Sequence, residues 1–112
     1  EAENDPLWSG HTAPFWPMQW HGDTFDLPVG GVRLASSALT PNQLFRVGDR
    51  SYGLQFHLEA DMALLELFLR DEDGYLAANG VDRAAFVADA RVRFPEVRPV
   101  AEAIFGRWIA ML

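Results

Sequence analysis

The apolar and polar positions divide the chain into three stretches with different rhythms. Residues 1–20 show no period. Pro6, Pro14 and Pro17 interrupt them, and Trp8, Phe15, Trp16 and Trp20 crowd into the same stretch. Proline at that density excludes a continuous helix or a central strand. So many aromatic side chains in an irregular segment predict one that packs against something else. A short strand is expected over 15–20, followed by a turn at His21-Gly22-Asp23.

From Val32 the period becomes two. Residues 32–36 alternate apolar and polar after a turn from Pro28 to Gly31. Runs 44–47 and 51–57 flank Gly48-Asp49-Arg50, which is the pattern of a β-hairpin with a glycine-containing connection. Along 51–57, alternation puts Tyr52, Leu54 and Phe56 on one face and Ser51, Gly53, Gln55 and His57 on the other. His57 is therefore expected at the carboxyl end of a strand, on its polar face.

After Glu59 the pattern turns helical. Asp61 suits the N-cap of a helix over 62–70, with Met62, Leu65 and Leu69 at helical spacing. Gly74 and Gly80 break it. Asp82 suits the cap of a second helix through Ala84, Phe86, Val87 and Ala90 to about Phe94, which Pro95 is expected to end. Pro99 suits the first turn of a last helix, in which Val100, Ile104, Trp108 and Met111 recur on one face. No internal repeat or low-complexity tract appears.

Composition narrows the chemistry. A chain of 112 residues, 49% of them hydrophobic, is long enough for one core and too short for two independent domains. Its formal charge of −7 repels a phosphate backbone, and no basic cluster interrupts it, so nucleic acid is not an expected partner. No apolar run reaches the length of a membrane span, and no signal-peptide pattern opens the chain. The expected compartment is the cytoplasm. Cysteine is absent, which excludes disulfides, thiolate metal sites and a cysteine nucleophile within these residues. All nine basic residues are Arg, so no lysine chemistry is available. A first residue of Glu1 rather than Met is read as the sign of a chain cut from something longer.

The segment Gly53-Leu54-Gln55-Phe56-His57-Leu58-Glu59 carries the main candidate chemistry. A His with a carboxylate two residues on fits a general base and the group that orients it, because a carboxylate on one imidazole nitrogen fixes the tautomer presented by the other. Two rivals are weaker. His11, His21, Asp23, His57 and Glu59 have the right atoms for zinc, but no pair has the H-x-x-x-H spacing, and no metal is expected. A serine hydrolase using Ser36 or Ser37 needs a G-x-S-x-G elbow, and none is present.

Gln55-Phe56-His57-Leu58-Glu59 resembles the Q-F-H-x-E motif that ends the class I glutamine amidotransferase domain. Trp20-His21-Gly22-Asp23-Thr24-Phe25 resembles the W-H-G-D-x-F stretch of its GMP-synthase-like members. Leu34-Ala35-Ser36-Ser37, Asn42-Gln43-Leu44-Phe45-Arg46 and Tyr52-Gly53-Leu54 fall between them in the order and spacing of that family. The resemblance covers about 15–69 and adds little beyond Arg70.

The resemblance implies an α/β fold: the late strands and a hairpin of a flavodoxin-like amidotransferase domain, followed by about three helices. The chain reads as a single partial domain over 1–112, with the motif region at 1–70 and a helical extension at 71–112. In the family, a cysteine attacks the side-chain amide of glutamine, forms a thioester and releases ammonia to an acceptor, without a cofactor. By motif, His57 would be the base and Glu59 its orienting carboxylate, while His21, Gly22 and Asp23 would lie near the bound glutamine. The nucleophile belongs to the part of the domain that precedes these motifs, so the chain alone is expected to be inactive. Its expected partners are that missing half, a synthetase or acceptor domain, or a second copy of itself. The rival reading is a non-catalytic interaction module that keeps an amidotransferase-like fold, with its helical tail as a docking surface.

Overall fold

A computed structural model describes all 112 residues as a mixed α/β fold. A 3-10 turn at Ala2–Asn4 opens the chain. Strands β1 (Gly31–Ala35), β2 (Leu44–Val47) and β3 (Ser51–Leu54) follow, then helices α1 (Met62–Arg70), α2 (Tyr75–Ala78) and α3 (Arg83–Ala110). The sheet runs β1-β2-β3, and both pairings are antiparallel. Both β1 and β3 are therefore edges.

The hairpin forms where alternation placed it. Leu44 pairs with Leu54 and Val47 with Ser51 across the connection at 48–50, where Gly48 takes the positive φ of 61° that a residue without Cβ adopts cheaply. β1 enters from the expected turn, in which Gly31 N–H donates to Pro28 O at 2.8 Å and Gly30 has φ 76°. The strand does not reach His57, however. Regular pairing stops at Leu54, and His57 rejoins the fold through one antiparallel bridge to Met18, donating its backbone N–H to Met18 O at 2.8 Å. That bridge is all that forms of the strand expected over 15–20. Pro14 and Pro17, both before Met18, supply no amide to extend a ladder in that direction.

Alternation along β3 also mistakes one face for polar. Gly53 sits beneath Phe45, which packs edge-on to Phe25 with ring centroids 5.1 Å apart, and a Cβ on Gly53 would run into the Phe45 ring. Leu54, on the face it shares with Tyr52 and Phe56, is exposed.

Asp61 caps α1 as expected, its Oδ1 accepting from Leu64 N–H at 2.8 Å, and Asp82 caps α3 by accepting from Ala85 N–H at 2.7 Å. The helices expected to end at Pro95 and begin at Pro99 are one helix of 28 residues. An interior proline costs a helix about 3 kcal/mol. Here Arg91, Pro95 and Pro99 all lie on the exposed face, so the carbonyls that lose a donor face water, while Ala90, Phe94, Val97, Ala101 and Ile104 form an unbroken buried stripe on the other side. Packing along that stripe outweighs the breaker. Helix α2, between the positive-φ glycines Gly74 and Gly80, has no sequence counterpart beyond those two breaks.

The stripe on α3 bridges two apolar clusters. Val97, Ala101 and Ile104 pack with Leu7, Trp8, Leu44, Phe56 and Leu58, and Ala90 and Phe94 pack with Met18, Leu65, Leu69 and Leu76. The irregular N-terminal segment contributes to both, as its aromatic content predicted. A buried carboxylate pins it down: Asp5 accepts from the N–H groups of Leu7 and Trp8, from Tyr52 Oη at 3.1 Å and from Arg46 Nε at 2.8 Å. No helix is long and apolar enough to cross a membrane.

Candidate active site

His57 stands three residues beyond β3, held from behind by the bridge to Met18 and from the side by Phe68 of α1, whose ring meets the imidazole edge-on at 5.4 Å. Its Nδ1 lies 2.7 Å from Glu59 Oε1. Its Nε2 lies 3.3 Å from the carbonyl oxygen of Trp20. Nδ1–H donating to the carboxylate leaves Nε2 as the nitrogen that takes up a proton, and a proton arriving there finds the Trp20 carbonyl as acceptor. The imidazole is one-quarter exposed and the Glu59 carboxylate about half exposed, so both remain open to an approaching group. A polar contact this accessible is worth less than about 1 kcal/mol to stability. Its geometry suits orientation of the ring rather than support of the fold.

The segment from Trp20 to Asp23 lies beside this pair through the Trp20 carbonyl. Trp20 is wedged among Phe68, Tyr75 and Phe86 at centroid distances of 5.4–5.8 Å, which fixes the height of its backbone against His57. His21 points elsewhere: Nδ1 contacts Asp23 O and Nε2 contacts Gln19 Oε1, both at 2.8 Å. Its two nitrogens are thus spent holding the turn and the neighbouring Gln19. Gly22 faces the Tyr75 hydroxyl, and the Asp23 side chain is exposed. Of the five residues singled out by motif, His57 and Glu59 are in direct contact. His21, Gly22 and Asp23 form the adjoining turn and touch neither.

No three His, Asp or Glu side chains converge in a way that could hold a metal ion. His11 lies apart, on the wall of a cavity floored by Trp8 and Leu44. Ser37 is occupied, donating to Thr40 O and accepting from Thr40 N–H.

The contributions of Trp20 and Phe68 were not visible in the sequence. Phe68, three residues after Leu65, flanks the Met62-Leu65-Leu69 stripe of α1 and packs against the same cluster, and an aromatic at the edge of a buried stripe is the signal that could have marked it. Among titratable groups, Tyr52 stands out. Burial, then the charge and hydrogen bond of Asp5, push its phenol up to about 12.

No family model and no curated protein matches the sequence.

Proposed function

We propose that the chain is the C-terminal portion of a GMP-synthase-like class I glutamine amidotransferase, with its α/β core the late part of a flavodoxin-like domain. His57 acts as the base and Glu59 as the carboxylate that orients it. The observation that carries this reading is the 2.7 Å contact from Nδ1 to Glu59 Oε1 on a half-open site. With Nδ1–H donated to Glu59, Nε2 is the nitrogen left to accept a proton, as a nucleophile's base requires.

The reaction divides between this chain and a cysteine it does not contain. Nε2 takes the proton of the thiol as sulfur attacks the glutamine side-chain carbonyl. It returns that proton to the departing nitrogen, so ammonia leaves and a thioester remains. Nε2 then takes a proton from the water that attacks the thioester, and returns it to the sulfur as the C–S bond breaks, so glutamate leaves and the thiol is restored. Glu59 holds the ring through both transfers. The Trp20 to Asp23 turn forms the wall nearest the base, where a substrate contact would fall.

The partner is the polypeptide segment that carries the cysteine, and the ammonia acceptor is bound beyond it. The test is glutamine hydrolysis by the cysteine-bearing protein. His57→Ala is expected to lower ammonia release by roughly 10⁴-fold or more, as loss of a triad member does. Activity within tenfold of the parent would overturn the assignment.

A further inference from the structure

The backbone of His57 is anchored, but its ring needs more to hold it. The bond from its N–H to Met18 O at 2.8 Å sets where the Cα stands. Its side-chain torsions stay open, and they decide which way Nδ1 and Nε2 point. Three contacts act on them. Two are polar: Nδ1 to the Glu59 carboxylate at 2.7 Å, and Nε2 to the Trp20 carbonyl at 3.3 Å. Water competes with the first, because Glu59 is about half exposed, and the second is longer than an ordinary hydrogen bond. The third contact is Phe68, whose ring meets the imidazole at 5.4 Å with 80° between the planes. Water offers no substitute for that edge-on packing.

Phe68 also packs against the Trp20 indole, at 5.4 Å and 61°. One side chain therefore touches both the imidazole and the residue whose carbonyl faces it. Tyr75 and Phe86 reach the indole as well, but only Phe68 shares an aromatic contact with His57. The packing of α1 does not call for an aromatic here. Leu65 and Leu69 are fully buried in that cluster, whereas Phe68 stays partly exposed at its edge. A contact that adds little to the core yet joins the two parts of a site points to a role in the site.

We propose that Phe68 is a positioning residue, whose ring fixes the plane of the His57 imidazole so that Nδ1 stays on Glu59 and Nε2 stays free to take a proton. The role deepens the amidotransferase reading and rests on it for its catalytic consequence. Misplacing a catalytic group by about 1 Å costs up to about 100-fold in rate. Because Phe68 acts through His57, that loss falls on kcat rather than on KM.

The first test uses the chain itself. With the ring neutral, ¹H–¹⁵N spectra of the imidazole nitrogens distinguish a proton on Nδ1 from one on Nε2. The chain has three histidines, and the His57 signals are those that vanish in His57→Gln. The parent is expected to hold the proton on Nδ1, and Phe68→Leu to move it towards Nε2, where free histidine carries it. Leu69→Val, which thins the same cluster, is expected to lower the thermal midpoint and leave the proton on Nδ1. An unmoved proton in Phe68→Leu would overturn the proposal, and so would an equal shift in Leu69→Val. The second test is kinetic. In the cysteine-bearing protein Phe68→Leu is expected to lower kcat by about 10- to 100-fold with KM within about threefold. A raised KM at unchanged kcat would contradict a positioning role. The two failures are distinct: an unmoved proton removes Phe68 from the site, whereas a cysteine-bearing protein that hydrolyses no glutamine removes the reaction and with it the kinetic consequence.

Discussion

At Asp5 a single carboxylate does the work of several contacts. It satisfies two backbone donors, a phenol and a guanidinium while fully out of water, and ties the N-terminal segment to β2 and β3. Asp5→Ala would leave Arg46 and those donors without a partner, and a loss of about 3 kcal/mol in denaturant unfolding is expected. Tyr52 makes the same hub pH-sensitive. Its folded pKa, about 12, stands above the ordinary value of 10, so the folded state holds the phenolic proton more tightly than the unfolded state does. That contribution is complete below pH 10 and is lost as pH rises from 10 towards 12. Stability measured across that window is expected to fall, and Tyr52→Phe is expected to flatten the fall; an unchanged slope in the variant would remove Tyr52 as its cause. None of this hub was legible in the sequence, because nothing in a proline-rich opening marks Asp5 as the partner of residues more than 40 positions away. The His57 to Glu59 contact was legible, because both partners lie within one motif.

Elements were readable where a local rule and the packing agreed. Both Asp caps and the hairpin register follow from their own residues. α3 was misread at Pro95 and Pro99, where a strong local signal lost to a continuous buried stripe that only tertiary packing reveals. The prolines are consequently a burden on the helix. Pro95→Ala is expected to stabilise the protein by about 1–3 kcal/mol, visible as a higher thermal midpoint, since the side chain is exposed and the missing hydrogen bond is restored. A lower midpoint would mean that the helix needs its proline geometry to follow the two clusters. Gly53 presents the opposite case. Gly53→Ala brings a methyl into the Phe45 ring, and a cost of about 1–3 kcal/mol is expected from the displaced aromatic pair. The sequence placed Gly53 on a polar face because glycine reads as neither polar nor apolar until its neighbour is known.

At the scale of the molecule, burial is sparse. Only 16 of 112 residues are buried, and the radius of gyration is 15.0 Å, against about 13 Å for a compact domain of this length. Both sheet edges are unpaired, and Phe105, Ile109 and Leu112 lie exposed along the end of α3. Such edges and apolar surface favour association. Light scattering coupled to size exclusion is expected to show self-association of the chain; a stable monomer at high concentration would show that these edges and this apolar surface do not drive association. The exposed end of α3 was not legible at this scale, because which face of a helix stays uncovered depends on how separate elements come together.

The central claim is that His57 is the base of a cysteine-dependent glutaminase. Ammonia release from glutamine, measured in the cysteine-bearing protein with and without His57→Ala, tests it most directly. A fall of roughly 10⁴-fold or more with the fold intact is the result expected. Ammonia release that survives the substitution would contradict the account.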